Sequence, residues 1–150
     1  MATILESEEV KVAELAARLR LVIARTARRL RQEAGTELSP SQSAALATIE
    51  AHGPLAPSEV ATLERIQRPT ATRILARLEE AGLLERAGDP TDRRVSLVSA
   101  SRRGAALLRR LRVRKNAYLA RRLRRLEQDE LRTLERAADI LERLLADEPR

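Results

Sequence analysis

The 150-residue chain contains no cysteine, tryptophan or phenylalanine, one tyrosine (Tyr118) and one histidine (His52). Without cysteine it can form no disulfide, thiol redox switch, cysteine nucleophile or Cys-based zinc site. A single imidazole cannot build a histidine zinc site, and no second one is available to act as a catalytic base. One aromatic ring is too few for the stacking platforms that bind single-stranded nucleic acid. The longest uncharged run, Leu38 to Ile49, is 12 residues, too short and too polar to span a bilayer. Glu6 interrupts the N-terminal apolar stretch after five residues, which argues against a secretory leader. These absences leave a basic, cytoplasmic protein with no expected cofactor or metal. They argue against an enzyme, because Asp89 and Asp92 sit on a turn that cannot exclude water.

What is abundant is arginine. Of 29 basic residues only Lys11 and Lys115 are lysines, and against 22 acidic residues they give a net charge of +7. The charge is uneven. Residues 65–125 hold 18 basic and 5 acidic side chains, a net of +13, between flanks of net −2 and −4. A basic segment set between mildly acidic ones suits a polyanion-binding surface, although a solvated helix face has the same composition.

Periodicity predicts six helices and one hairpin. The first helix, Ser7 to Ala34, starts from a Ser7 cap, repeats Val12, Leu15, Leu19, Val22, Ile23 and Leu30 at three- and four-residue spacings, and stops at Gly35. The second opens on Ser39-Pro40-Ser41-Gln42, a capping box with proline at the first helical position, buries Ala45, Leu46 and Ile49, and ends at Gly53-Pro54. Pro57 and Glu59 open a short third helix with Val60, Ala61 and Leu63 as its apolar side and Ala56 as a weak cap. A break at Arg65 to Arg68 leads to a fourth helix, Pro69 to Ala81, with Ala71, Ile74, Leu75 and Leu78 facing inward and Gly82 as its stop. Leu83–Ala87 and Arg94–Ser99 read as the two strands of a hairpin around Gly88-Asp89-Pro90-Thr91-Asp92. Ser101 caps a fifth helix carrying Leu107, Leu108, Leu111, Leu119 and Leu123, and a sixth places Leu131, Leu134, Ala138, Leu141 and Leu145 in a heptad seam.

A short helix, a tight break and a longer helix have helix-turn-helix proportions. The outer face of the fourth helix carries Thr70, Arg73 and Arg77, flanked by Pro69, Thr72 and Ala76. Small polar residues at a helix start let it sink into a groove about 12 Å wide, where arginines one turn on reach guanine edges or phosphates. The alternative is an ordinary amphipathic helix. The hairpin tip, Asp92-Arg93-Arg94, favours the first reading, because a two-stranded projection too thin to bury anything is shaped to lay an arginine in a narrow minor groove. Asp92 would orient that arginine by a charge-assisted hydrogen bond.

The run from Glu59, EVATLERIQRPTATRILARLEEAGLLERAGDPTDRRVSLVSASRRGAALL, resembles the MarR family of bacterial transcription regulators. The matching pieces are the helix-turn-helix, LEEAGLLER, the wing DPTDRR and the strand leading into S-R-R-G, and the flanking helices match as well. The resemblance implies a mainly α fold with a small β-hairpin wing: one domain in which residues 39–100 form a winged helix-turn-helix DNA-binding lobe and residues 1–35 and 102–150 supply dimerisation helices. It puts Pro69, Thr70, Thr72 and Arg73 on the recognition helix, Arg94 at the wing tip and Asp92 beside it. Ser58, Arg68, Arg77 and Arg93 complete the expected DNA-contact set. Two departures stand out: Ala56 where the family has Ser or Thr, and Ala100-Ser101 where it has Leu-Thr. The first should weaken a cap by about 1 kcal/mol.

Leu131, Leu134, Leu141 and Leu145, with Leu15 and Leu19, form apolar stripes larger than a small winged domain can bury alone, so a homodimer is expected, with packing of the two chain ends against each other as the alternative. The family resemblance further implies a pocket for a small phenolic or lipophilic anion, for which Arg20, His52, Arg65 and Tyr118 are the candidate contacts. The expected function is a ligand-responsive repressor that binds double-stranded operator DNA of palindromic sequence. The rival is a helical protein-interaction scaffold whose basic segment binds nucleic acid without specificity.

Overall fold

The computed structural model describes residues 2–36, 38–88, 90 and 96–146, with side chains of the first helix from residue 8. Among these the chain forms α1 (Ala2–Ala34), α2 (Pro40–His52), α3 (Pro57–Leu63), α4 (Arg68–Glu80), β1 (Leu84–Gly88), β2 (Ser96–Ala100), α5 (Arg102–Leu123) and α6 (Gln128–Ala146). The six helices and the hairpin match the order expected from periodicity. No helix among the described residues is long and apolar enough to cross a membrane.

The helix ends follow their sequence signals. Ser39 Oγ accepts from the Gln42 amide at 3.2 Å while the Ser39 amide donates to Gln42 Oε1 at 2.8 Å, closing the predicted capping box. At α3 only half of such a box exists: the Ala56 amide donates to Glu59 Oε2 at 2.7 Å, and Ala56 has no side-chain acceptor to return the bond. After α4, Gly82 takes φ +68°, and the Leu83 amide reaches back to the Leu78 carbonyl at 2.9 Å. Both leucines are buried, the hydrophobic contact that completes this type of helix end.

Three expectations need correction. α1 begins at Ala2 rather than after a Ser7 cap, because residues 2–6 contain no breaker and the helix simply extends through them. Leu63 does not face the core but is 48% exposed: two residues on from buried Ala61, it falls on the far side of the helix from it. The first strand starts one residue later than expected, at Leu84, the second is described from Ser96 to Ala100 with residues 94 and 95 outside the described residues, and the sheet gains a bridge: Leu55 and Val98 exchange amide–carbonyl bonds of 3.0 and 2.8 Å. One bridging residue in the stretch Pro54-Leu55-Ala56-Pro57 carries no strand pattern, so this bridge had no sequence signal.

One core holds the middle of the chain together. Leu46, Ile49, Val60, Leu75, Leu78 and Val98 are fully buried, with Ala45, Ile74, Leu83, Leu84 and Leu108 around them. At about 25 cal/mol per Å² of apolar surface, each large side chain contributes roughly 1.5–3 kcal/mol. α5 joins this core at its N-terminal end. Ser101 Oγ donates to the Gly82 carbonyl at 2.8 Å and accepts from the Gly104 amide at 3.0 Å, so the α5 cap also fastens α5 to the end of α4. Gly104 is required there, because a Cβ would overlap the Leu83 carbonyl oxygen.

α1 packs along α5, and Arg114 donates to the last α1 carbonyl, Ala34 O, at 3.0 Å. α6 contributes no buried residue and makes no extensive contact with any other element.

Candidate nucleic-acid interface

The helix-turn-helix is α3 and α4 joined by residues 64–67. α3 closes with Arg65 in the left-handed region (φ 52°) and the Ile66 amide bonded to the Ala61 carbonyl at 2.9 Å, a turn more often given to glycine. Thr48 of α2 donates to the Glu64 carboxylate and ties the turn to the lobe. The result fixes α4 on its four buried residues, Ala71, Ile74, Leu75 and Leu78.

The opposite face of α4 is open as expected: Arg68, Pro69, Thr72, Arg73 and Arg77 are exposed and Thr70 half-buried. Among the described residues Arg68, Arg73 and Arg77 have no ion-pair partner, so no internal carboxylate competes for them. Thr72 donates its hydroxyl proton to the Arg68 carbonyl at 3.0 Å, which leaves its oxygen to act outward as an acceptor. Ser58, also exposed, shares a groove of about 380 Å³ with Thr62 and Arg68.

A second groove, about 370 Å³, runs between α4 and the start of α2. Thr70, Arg73 and Arg77 form one wall, and Ser39, Ser41 and Gln42 the other. The sequence marks the α2 residues only as a cap. Their place beside α4 depends on how α2 and α4 cross, and helix crossing leaves no local signal.

The hairpin projects from the same lobe. β1 and β2 pair antiparallel from Leu84↔Ala100 to Gly88↔Ser96. Its base is fastened to α4 by Arg86, which donates to both carboxylate oxygens of Glu79 at 2.6 and 3.0 Å. Arg86 is therefore held by the fold and is not free to meet phosphate. The expected tip residues Asp92, Arg93 and Arg94 lie outside the described residues.

The four candidate effector contacts lie on separate elements: Arg20 on α1, His52 at the end of α2, Arg65 in the α3–α4 turn and Tyr118 on α5. Tyr118 Oη accepts from Arg29 Nε at 3.3 Å. That bond holds the phenol below its ordinary pKa, with the charges of Arg122 and Arg29 adding to it and partial burial acting the other way. A cleft of about 410 Å³ lies where the end of α1, the end of α4 and α5 meet. Leu38, Leu83 and Leu107 give it apolar walls, Arg103 and Arg110 border it, and none of the four candidates lines it.

Known proteins share this sequence and architecture. Residues 38–96 match the profile of the MarR family. An HTH-type transcriptional regulator of Mycobacterium bovis is 37% identical over 138 residues, covering 91% of this chain and 96% of its own length. The crystal structure of a transcriptional regulator protein from Pseudomonas aeruginosa is 33% identical, with a TM-score of 0.80 over 91% of this chain and 97% of that one. Wild-type MarR from E. coli in its apo form is 25% identical, with a TM-score of 0.70 over 85% and 96%.

Proposed function

Because this chain belongs to the MarR family of DNA-binding winged-helix transcription regulators, we propose that it acts in the cytoplasm as a homodimeric repressor on a palindromic operator. The observation that carries the reading is the outer face of α4, which presents arginines without carboxylate partners from a helix anchored on its other side. In this reading Pro69, Thr70, Thr72, Arg73 and Arg77 enter the major groove. Ser58 and Arg68 meet the flanking phosphates, as do Ser39 and Ser41 from the far wall of the groove. Arg94, with Arg93 and oriented by Asp92, reaches into the minor groove.

The exposed leucines of α1 and α6 support the dimer, with residues 1–35 and 102–150 as its helices and residues 39–100 as each DNA-binding lobe. Two lobes related by a two-fold axis read half-sites about one helical turn apart and repress by excluding polymerase. An effector acts by changing the spacing of the two α4 helices. A lipophilic or phenolic anion suits the cleft beside Leu38 and Leu83, where Arg103 and Arg110 would meet its charge. Arg20, His52, Arg65 and Tyr118 remain candidate contacts once the second copy is in place.

Fluorescence anisotropy on DNA from upstream of the protein's own gene, against scrambled DNA across a salt series, tests this reading. Specific binding that persists at physiological salt is the expected result. Arg73→Ala and Arg94→Ala should each weaken it by roughly 1–3 kcal/mol. Operator affinity that does not change in Arg94→Ala would remove the wing from the contact set. Equal, weak and salt-sensitive binding to both DNAs would defeat the operator assignment.

A further inference from the structure

The DNA-reading lobe leaves most of the positive charge unexplained. Of the 18 basic residues between 65 and 125, 11 fall in 102–125, a stretch with no Asp or Glu. They belong to α5 and the turn after it. At about 1.5 Å per residue, Arg121 lies about 27 Å along α5 from Arg103. That is more than three Debye lengths at physiological salt, so the far group adds little to the field at α4.

The far end is organised around the single aromatic ring. The guanidinium carbons of Arg29, Arg121 and Arg122 lie 6.0, 5.9 and 5.2 Å from the Tyr118 centroid. Arg124 and Arg125 follow in the exposed turn. Arginines in a last helical turn oppose the helix dipole, which accounts for Arg121 and Arg122. It does not account for an arginine brought in from α1 or for two more beyond the helix end.

The neighbouring carboxylates neutralise one arginine of the group, Arg29, and are otherwise engaged elsewhere. Glu33 pairs with Arg29 at 2.9 Å, Asp129 pairs with Arg132, and Glu130 accepts from the Glu127 amide at 2.9 Å. Glu127 is the one acid left in the turn. Among the described residues Arg121, Arg122, Arg124 and Arg125 have no ion pair.

We infer that this α5–α6 corner is a second phosphate-binding surface that holds a separate duplex DNA segment by its backbone. In the single chain Arg121, Arg122, Arg124 and Arg125 are exposed along the end of α5 and the turn after it, which suits a row of phosphates better than one small anion. The only ring is already flanked by guanidiniums, so it offers no free face to an unpaired base. With α4 on one duplex and the corner on another, the protein bridges two DNA segments.

A bead-bound duplex of upstream DNA and a free fluorescent duplex of random sequence provide the test. The wild-type protein should carry the free duplex to the beads at about 50 mM salt and release it as salt rises. Arg121→Gln/Arg122→Gln should reduce that capture roughly tenfold and lower its salt slope by about 2, while its own binding to the bead duplex stays within about twofold. That unchanged binding also reports that the variant is folded. Arg73→Gln/Arg77→Gln should do the reverse in direct titrations, losing the upstream DNA but keeping weak binding of the random duplex, so failure of the operator reading and failure of the corner look different. Capture that is unchanged in the corner variant comes from the recognition faces and overturns the inference. So does wild-type protein that captures no second duplex, or that captures single-stranded RNA or polyglutamate in its place.

Discussion

The lobe between α2 and β2 and the two terminal helices use the same leucines to opposite ends. In the lobe, leucines from α2, α4 and the hairpin converge on one buried core, and Leu46, Leu75 and Leu78 are fully enclosed. In α1 and α6 the spacing is just as regular, yet Leu15 is 55% exposed, Leu134 47% and Leu145 73%. Among the described residues Ala34 is the only buried one of α1, and α6 has none. Helical periodicity therefore states that a face wants to be covered and says nothing about which chain covers it.

Core truncation should separate the two regions most sharply. Leu75→Ala, inside the lobe, should lower unfolding stability by about 2–5 kcal/mol at any protein concentration. Thermal or denaturant unfolding at two concentrations checks this, and a concentration-dependent loss would show that the lobe is not self-sufficient. Next in size is the seam. Leu134→Lys/Leu141→Lys should give monomers in sedimentation, with the lobe still folded by circular dichroism. A dimer that survives would move the interface off α6.

A smaller gain should come from the cap that α3 lacks. Ala56→Ser supplies a side-chain acceptor for the Glu59 amide, which otherwise donates only to the Ala56 carbonyl at 2.9 Å, and should add about 1 kcal/mol to the lobe without altering the oligomer. The smallest effect belongs to Tyr118. Its phenol should ionise below the ordinary value of about 10, and because it is the only aromatic residue its absorbance reports it alone. A depressed acid adds stability only above its folded pKa and loses it as pH falls through that value, so nothing is expected near neutrality. Arg29→Ala should return the midpoint toward 10, and a midpoint that stays put would mean that the hydrogen bond is not its cause.

Much of the fold was legible because its signals are local. The Ser39 cap, the Gly82 stop and the inward residues of α4 are each determined within a few positions, and each stands where the sequence places it. The errors arose where local rules are silent. No breaker marked the start of α1, the seven-residue α3 is too short for periodicity to define its buried face, and the Leu55 bridge depends on a partner 43 residues away. The open face of α4 could be read for the same reason as its buried face. The wall of Ser39, Ser41 and Gln42 beside it could not, because it depends on a crossing of two helices, and the arginines of the 410 Å³ cleft were missed for the same cause.

Gly104 makes α5 a lever with a soldered end. The backbone of α5 meets the Leu83 carbonyl so closely that no methyl group fits between them, and Ser101 pins the joint on both sides. Little play remains at that joint, so a tilt of α5 must be taken up by the lobe. Over a 22-residue helix about 33 Å long, a turn of about 5° displaces the far tip by about 3 Å. Whatever grips the tip thereby gains mechanical advantage over the angle at which α4 meets DNA.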